Sequence, residues 1–142
     1  MKVLILNGPN LNLLGIREPE IYGAETLEAI RIWLNEQTIT DSHVITWFQS
    51  NHEGDLIDQI HGSIKLFDGI IINPGALTHY SYSVRDAISS VPTPTVEVHL
   101  SDINHREDFR KISVIKDVCI SQISGLGKLG YAQALKTLIE HL

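Results

Sequence analysis

Val3-Leu4-Ile5-Leu6-Asn7-Gly8-Pro9-Asn10 and Gly69-Ile70-Ile71-Ile72-Asn73-Pro74-Gly75 are the two stretches whose reading decides the fold. Each is an unbroken apolar run that stops at an asparagine and a turn built on glycine and proline. A strand covered on one face alternates apolar and polar residues, whereas a strand covered on both faces is apolar throughout. Both runs therefore read as central strands of a sheet with helices on each side. Working outward, β-branched runs at 44–48, 95–100 and 118–123 supply three more strands. Helical spacing recurs between and after them: Leu27, Ile30 and Leu34 behind Thr26 as N-cap; Leu56, Ile57 and Ile60 after Gly54; Val84, Ala87 and Ile88; and Tyr131, Leu135, Leu138 and Leu142. Strands alternating with helices, joined by right-handed crossovers, predict an α/β protein with a flavodoxin-like, doubly wound five-stranded parallel sheet and helices on both faces.

The 142 residues, 43% apolar, are expected to form one domain over 1–142 whose core needs no metal or disulfide. A net charge of -6 with 11 scattered basic residues excludes a surface that tracks nucleic-acid phosphates. The single cysteine, Cys119, allows no disulfide framework, and the apolar run at 3–6 is too short for a signal peptide or a membrane span, so the expected setting is cytoplasmic, without membrane contact. No His-Glu-x-x-His and no paired cysteines occur, so no metal site is expected. Gly125-Leu126-Gly127-Lys128-Leu129-Gly130 spells GxGxxG, but it follows the last strand and no acid stands about twenty residues on; it reads as a tight strand-to-helix turn. No cofactor is expected. A non-enzymatic flavodoxin-like module holding a flavin or nucleotide is the competing class; Pro9 and the Asn and Leu string after it are unlike the Gly, Ser and Thr of a phosphate cradle.

In open sheets of this kind ligands bind beyond the carboxyl ends of the strands. The loops to inspect are 7–23, 49–54, 73–81 and 101–110. The first carries Asn10, Arg17 and Tyr22 and is long for a strand-to-helix connection, which suits a lid or binding loop as well as a plain surface loop. The third carries Asn73 and His79. Asp86 alone reads as a solvated helix residue or a partner of Arg85. Glu97 and His99, two apart on one strand, project from the same face, where a carboxylate can orient an imidazole and hold its proton, as a general acid requires. A structural hydrogen-bonded pair fits that spacing too. None of Lys2, Lys65, Lys111, Lys116, Lys128 and Lys136 falls in these loops.

Taken together, Asn7-Gly8-Pro9-Asn10-Leu11, Arg17-Glu18-Pro19-x-x-Tyr22-Gly23, Gln49-Ser50-Asn51, Ile72-Asn73-Pro74-Gly75-Ala76, Thr78-His79, Arg85-Asp86-Ala87, Glu97-Val98-His99 and Gly125-Leu126-Gly127-x-x-Gly130-Tyr131 resemble type II 3-dehydroquinate dehydratases, in order and spacing, over essentially the whole chain. The resemblance implies a lyase that converts 3-dehydroquinate to 3-dehydroshikimate by trans elimination through an enolate, in the shikimate pathway of aromatic amino-acid biosynthesis or in quinate breakdown. It implies that Tyr22 is the base, that His99 held by Glu97 is the acid, that Arg17 is the lid residue favouring the tyrosinate, and that Asn10 holds a water against the enolate oxygen. It assigns Asn73, His79 and Arg110 to substrate hydroxyls and the backbone amides of Leu100 and Ser101 to the substrate carboxylate. Asp86 matches a carboxylate that reaches a neighbouring subunit's site, and the implied assembly is a homo-oligomer, a dodecamer built from trimers. A phenol ordinarily titrates near about 10, so a tyrosinate working at neutral pH needs a positive charge beside it.

One departure stands out. Family members commonly carry Asn-Ile-His-Ala-Arg where this chain has Asp102-Ile103-Asn104-His105-Arg106. An acid next to amides that hold a carboxylate weakens binding of an anion, unless Asp102 points away or pairs with Arg106.

Overall fold

A computed structural model describes residues 1–142. Five strands, β1 (Lys2–Asn7), β2 (Val44–Gln49), β3 (Gly69–Asn73), β4 (Thr95–His99) and β5 (Ser121–Ser124), form one all-parallel sheet in the order β2-β1-β3-β4-β5. The helices are α1 (Pro19–Tyr22), α2 (Leu27–Asn35), α3 (Glu53–Gly62), α4 (Tyr82–Ser89) and α5 (Leu129–His141). This is the doubly wound, flavodoxin-like arrangement that the apolar runs predict.

The two central runs divide their side chains between two cores, as the period of two requires. Val3, Ile5 and Ile71 pack with Ile30 and Leu34 of α2 and Tyr131, Leu135 and Leu138 of α5. Leu4, Leu6, Ile70 and Ile72 pack on the other face with Leu56 and Ile60 of α3 and Val84, Ala87 and Ile88 of α4. Every residue of 3–6 and 70–72 is at most 1% exposed, and each such side chain contributes about 1.5–3 kcal/mol by leaving water. Thr26 and Ser81 cap α2 and α4, their hydroxyls accepting the N–H of Ala29 and Val84 at 3.0 Å.

Three expectations shift. The strand expected over 118–123 begins only at Ser121: Lys116–Val118 form a 3-10 turn, and Val118 and Cys119 pack against the α3/α4 core instead. Leu142, expected on the apolar face of the last helix, lies past its end and is exposed, since the buried stripe stops at Leu138. The long first loop is partly helical, with a 3-10 turn at Leu11–Leu13 and then α1. Pro19 starts α1 with its preset φ, Gly23 ends it at φ 90, and buried Leu11 and Leu14 tie the loop to the core.

Register brings the carboxyl ends of the strands level, with Asn7 opposite both Gln49 and Asn73. The chain leaves β1 toward β2 on one side and leaves β3 toward β4 on the other, so a crevice opens between the loops after β1 and β3. Those loops press together closely. Gly8 N–H donates to the Asn73 carbonyl at 2.8 Å, and a Cβ on Gly8 would lie 2.4 Å from the Pro74 oxygen. Only glycine fits there.

Candidate active site

The crevice is lined by Asn10, Arg17, Tyr22, Asn73, His79, His99, Leu100, Ser101, Arg106 and Arg110, among others. Nine of these are residues singled out from sequence; the tenth, Arg106, had been read only as a candidate partner for Asp102. Glu97 sits directly behind His99. Asp86 is not in this pocket: it is exposed on α4, and its neighbour Arg85 donates to the Val114 carbonyl at 2.7 Å instead of pairing with it. No three His, Cys, Asp or Glu side chains converge in a way that would hold a metal ion.

Tyr22 is half-buried at the end of α1, its ring against the α2/α5 core. Two cations serve it. Arg17 stacks over the ring, with Cζ 4.6 Å from the centroid, and Arg106 donates from Nη1 to the Tyr22 hydroxyl at 3.1 Å. Negative charge on the phenol oxygen is therefore stabilised most directly by Arg106, with Arg17 adding to it across the ring face. The Arg106 side chain is 14% exposed, less than the 33% of Arg17, so solvent screens it less.

Across the pocket, His99 Nε2 lies 2.6 Å from Glu97 Oε1. Glu97 is fully buried and its oxygens accept from Thr78, from Ser113 at 2.9 and 3.0 Å, and from Gln122 at 3.1 Å. Burial on its own pushes this carboxyl up, but the hydrogen bond and charge of His99 and the Thr78 and Ser113 hydroxyls outweigh it and hold the group below the ordinary glutamate value. An ionised Glu97 is acceptor-only, so Nε2 of His99 carries a proton inward and Nδ1 is left free to exchange one with the pocket. His79 has the opposite polarity: its Nδ1 donates to the Ile112 carbonyl at 2.6 Å, leaving Nε2 as an acceptor. Burial chiefly, helped by the charges of His99 and Arg110, pushes His79 down, which keeps it neutral.

The lowered Glu97 predicts a pH dependence of stability. A carboxyl whose folded-state pKa lies below its unfolded value stabilises the fold above the unfolded value, and that contribution is lost as pH falls through the folded one. Below about pH 4.3, urea denaturation of the wild-type chain should show stability falling more steeply than in Glu97→Gln. Parallel curves would mean that Glu97 is not held ionised.

Backbone donors complete the site. The N–H groups of Leu100 and Ser101 have no partner in the chain, while their carbonyls accept from Gly127 at 3.0 Å and Gly125 at 3.2 Å. The glycine turn before α5 thus anchors these peptides from behind, and its positive φ at Gly125 and Gly127 serves that geometry. Asp102 turns away from the amides; its carboxylate accepts the Asn104 N–H at 3.0 Å and faces His105 Nε2 at 3.4 Å. Arg110 reaches the pocket with its Nε 2.8 Å from Glu107, close enough for charge pairing although the N–H is not aimed at the oxygen.

The loop 49–54 buttresses the site rather than lining it. Asn51 Oδ1 accepts the Asn10 N–H at 2.9 Å, and Gln49 Nε2 donates to the Gly8 carbonyl at 3.2 Å, holding Asn10 in a left-handed conformation at φ 72. Asn73 is oriented by the wholly buried Tyr131, whose hydroxyl accepts from Asn73 Nδ2 at 3.4 Å and donates to Asn7 at 2.6 Å. These residues stand in the strings quoted above, but which of them touch is set by the fold: each contact joins residues at least 41 positions apart.

A parallel α/β sheet whose carboxyl edge holds a cation-flanked phenol opposite a carboxylate-backed imidazole defines an acid–base enzyme acting on a small anionic substrate. The family model for Dehydroquinase class II matches residues 1–139. A 3-dehydroquinate dehydratase of Clostridium perfringens is 52% identical, covering 100% of this chain and 98% of the relative, and one of Anoxybacillus flavithermus is 53% identical over 99% and 95%. The crystal structure of a type II dehydroquinase from Butyrivibrio crossotus superposes with a TM-score of 0.95 at 50% identity, covering 98% of this chain and 97% of that one. The chain belongs to the class II dehydroquinase family.

Proposed function

We propose that this chain catalyses the trans-dehydration of 3-dehydroquinate to 3-dehydroshikimate in the shikimate pathway, with the site residues named above in the roles the resemblance implies. The observation that carries the reading is the pairing, in one crevice, of Tyr22 bonded to Arg106 with His99 bonded to buried Glu97. The Tyr22 phenolate takes a proton from the carbon beside the ketone, and the electron pair moves to the ketone oxygen as an enolate. A water held by Asn10 donates to that oxygen. The enolate then expels the hydroxyl, which leaves as water with the proton from His99. Transfer of the proton from Tyr22 back to His99 resets the pair. The free amides of Leu100 and Ser101 suit the substrate carboxylate, and Asn73, His79 and Arg110 suit its hydroxyls; the Nε2 acceptor of His79 is matched to an O–H donor. Absorbance of the conjugated enone formed from 3-dehydroquinate tests the assignment; no absorbance change with purified chain would overturn it.

Geometry ranks the two arginines. Both Arg17→Ala and Arg106→Ala should lower kcat, and in each the rise of kcat with pH should move to higher pH. The displacement should be larger for Arg106→Ala, because its charge sits at the oxygen. A larger displacement in Arg17→Ala would make Arg17 the cation that serves the base.

The five-stranded unit at 1–142 acts as one catalytic domain in this reading, needs no cofactor, and works in the cytoplasm. No helix of the chain is long and apolar enough to cross a membrane. The assembly is a homo-oligomer, a dodecamer of trimers, in which exposed Asp86 on α4 is free to reach a neighbouring pocket. Light scattering during the assay should give a mass far above that of the 15.9 kDa chain; a fully active monomer would overturn it.

A further inference from the structure

Ser113 lies behind the pocket, 9% exposed, bonded to Glu97 and touching no reacting atom in the steps above. Its hydroxyl stands 2.9 and 3.0 Å from the two Glu97 oxygens and accepts the N–H groups of Lys116 at 3.1 Å and Ile115 at 3.3 Å. A hydroxyl has one proton and two lone pairs. With backbone donors on its oxygen, the Ser113 proton is directed outward, onto the carboxylate. Thr78, 3.0 Å from Ser113, likewise gives its single proton to Glu97. The residue before Ser113 is Ile112, whose carbonyl fixes His79, so two consecutive residues set both pocket histidines.

We propose that Ser113 is a positioning residue for the acid: it keeps Glu97 ionised and oriented, and so commits His99 to Nε2–H inward with Nδ1 facing the substrate. Burial by itself favours the neutral carboxyl, and the donors on Glu97, His99 foremost with Thr78 and Ser113 after it, reverse that preference. A protonated Glu97 would be a donor in its own right, and the His99 proton would then be free to sit on Nδ1 with Nε2 accepting. In that tautomer the neutral ring has no anionic partner to stabilise a second proton, and the leaving hydroxyl loses its acid. The other charged or titratable groups lining the pocket with His99 are His79 from the turn after β3, Arg106 and Arg110 from the segment after β4, and Arg17 and Tyr22 across the crevice. Glu97 is the one hydrogen-bonded to its ring.

This inference rests on the dehydratase reading, and the experiment separates the two. Steady-state kinetics on 3-dehydroquinate would be measured for wild type, Ser113→Ala and Ser113→Thr, together with imidazole 15N shifts of His99. Ser113→Ala should lower kcat about tenfold or more, the scale of one hydrogen bond to a charged group, with KM changed by about twofold at most. The His99 spectrum should move from Nε2–H toward a tautomer mixture. Ser113→Thr, which keeps the hydroxyl, should restore both. Should Ser113→Ala not fold, Ser113→Cys, similar in shape but a weak donor, is read by the same criteria. Wild-type kcat in the variant, or a lowered kcat with the Nε2–H population unchanged, overturns the proposal. A wild-type chain with no enone absorbance overturns the reaction reading alone, and the His99 spectra then still decide whether Ser113 sets the tautomer.

Discussion

Tyr22→Phe is expected to lower kcat by about 10² to 10⁴-fold, the range over which positioned proton-transfer groups act. The change removes one oxygen. The ring keeps its packing against the α2/α5 core and its stacking with Arg17, and Arg106, freed from the hydroxyl, retains Ser101 Oγ at 3.4 Å. Circular dichroism should therefore match wild type, and KM should change much less than kcat, because the lost group acts on the reacting carbon rather than on the bound carboxylate or hydroxyls. The variant should also fail to exchange the substrate proton beside the ketone with deuterium from solvent, since no other base reaches it. A purified variant with the wild-type rate would remove Tyr22 from the mechanism.

His99→Ala is expected to lose turnover on a similar scale, about 10² to 10⁴-fold, but with a different signature. Proton removal precedes departure of the hydroxyl in an enolate route, so this variant should still exchange the substrate proton with solvent while forming little enone. Its fold should survive. Glu97 loses one donor but keeps Thr78, Ser113 and Gln122, so no bare charge is left in the interior. Loss of exchange along with loss of turnover would show that the two proton transfers are concerted, or that His99 helps bind the substrate; wild-type turnover would show that the acid is another group.

The fold is largely legible in the sequence. Residues 3–6 and 70–72 are apolar without interruption, and an unbroken run of that length is satisfied by a strand buried on both faces; Thr26 and the stripe behind it place the start of α2. The failures lie where local pattern is silent. Val118 and Cys119 look like strand, yet they pack, partly buried, against the core beside α3 and α4, and where the ladder begins depends on where β4 lies, which no local window contains. The helical turn inside the first loop was missed because its four residues are too few to show a period.

For the site, every crevice side chain given a role except Arg106 is legible in the chain alone, because these residues cluster at strand ends, where an α/β sheet must bind its ligand, and because their strings match one family. The sequence by itself determined the sheet, the edge that carries the chemistry, and the pair Glu97 and His99, since a spacing of two on a strand puts both on one face. Only the tertiary structure decided which charge serves which group. Arg106 stands 84 positions from Tyr22 and reads from its neighbours as a partner for Asp102, yet the fold turns Asp102 back onto its own turn and delivers Arg106 to the phenol. Ser113 and Gln122 carry no motif and are recruited to Glu97 from 16 and 25 residues away. Electrostatic and hydrogen-bond partners are chosen by distance and direction at the ångström scale, and those are set by how the loops pack, not by their order along the chain.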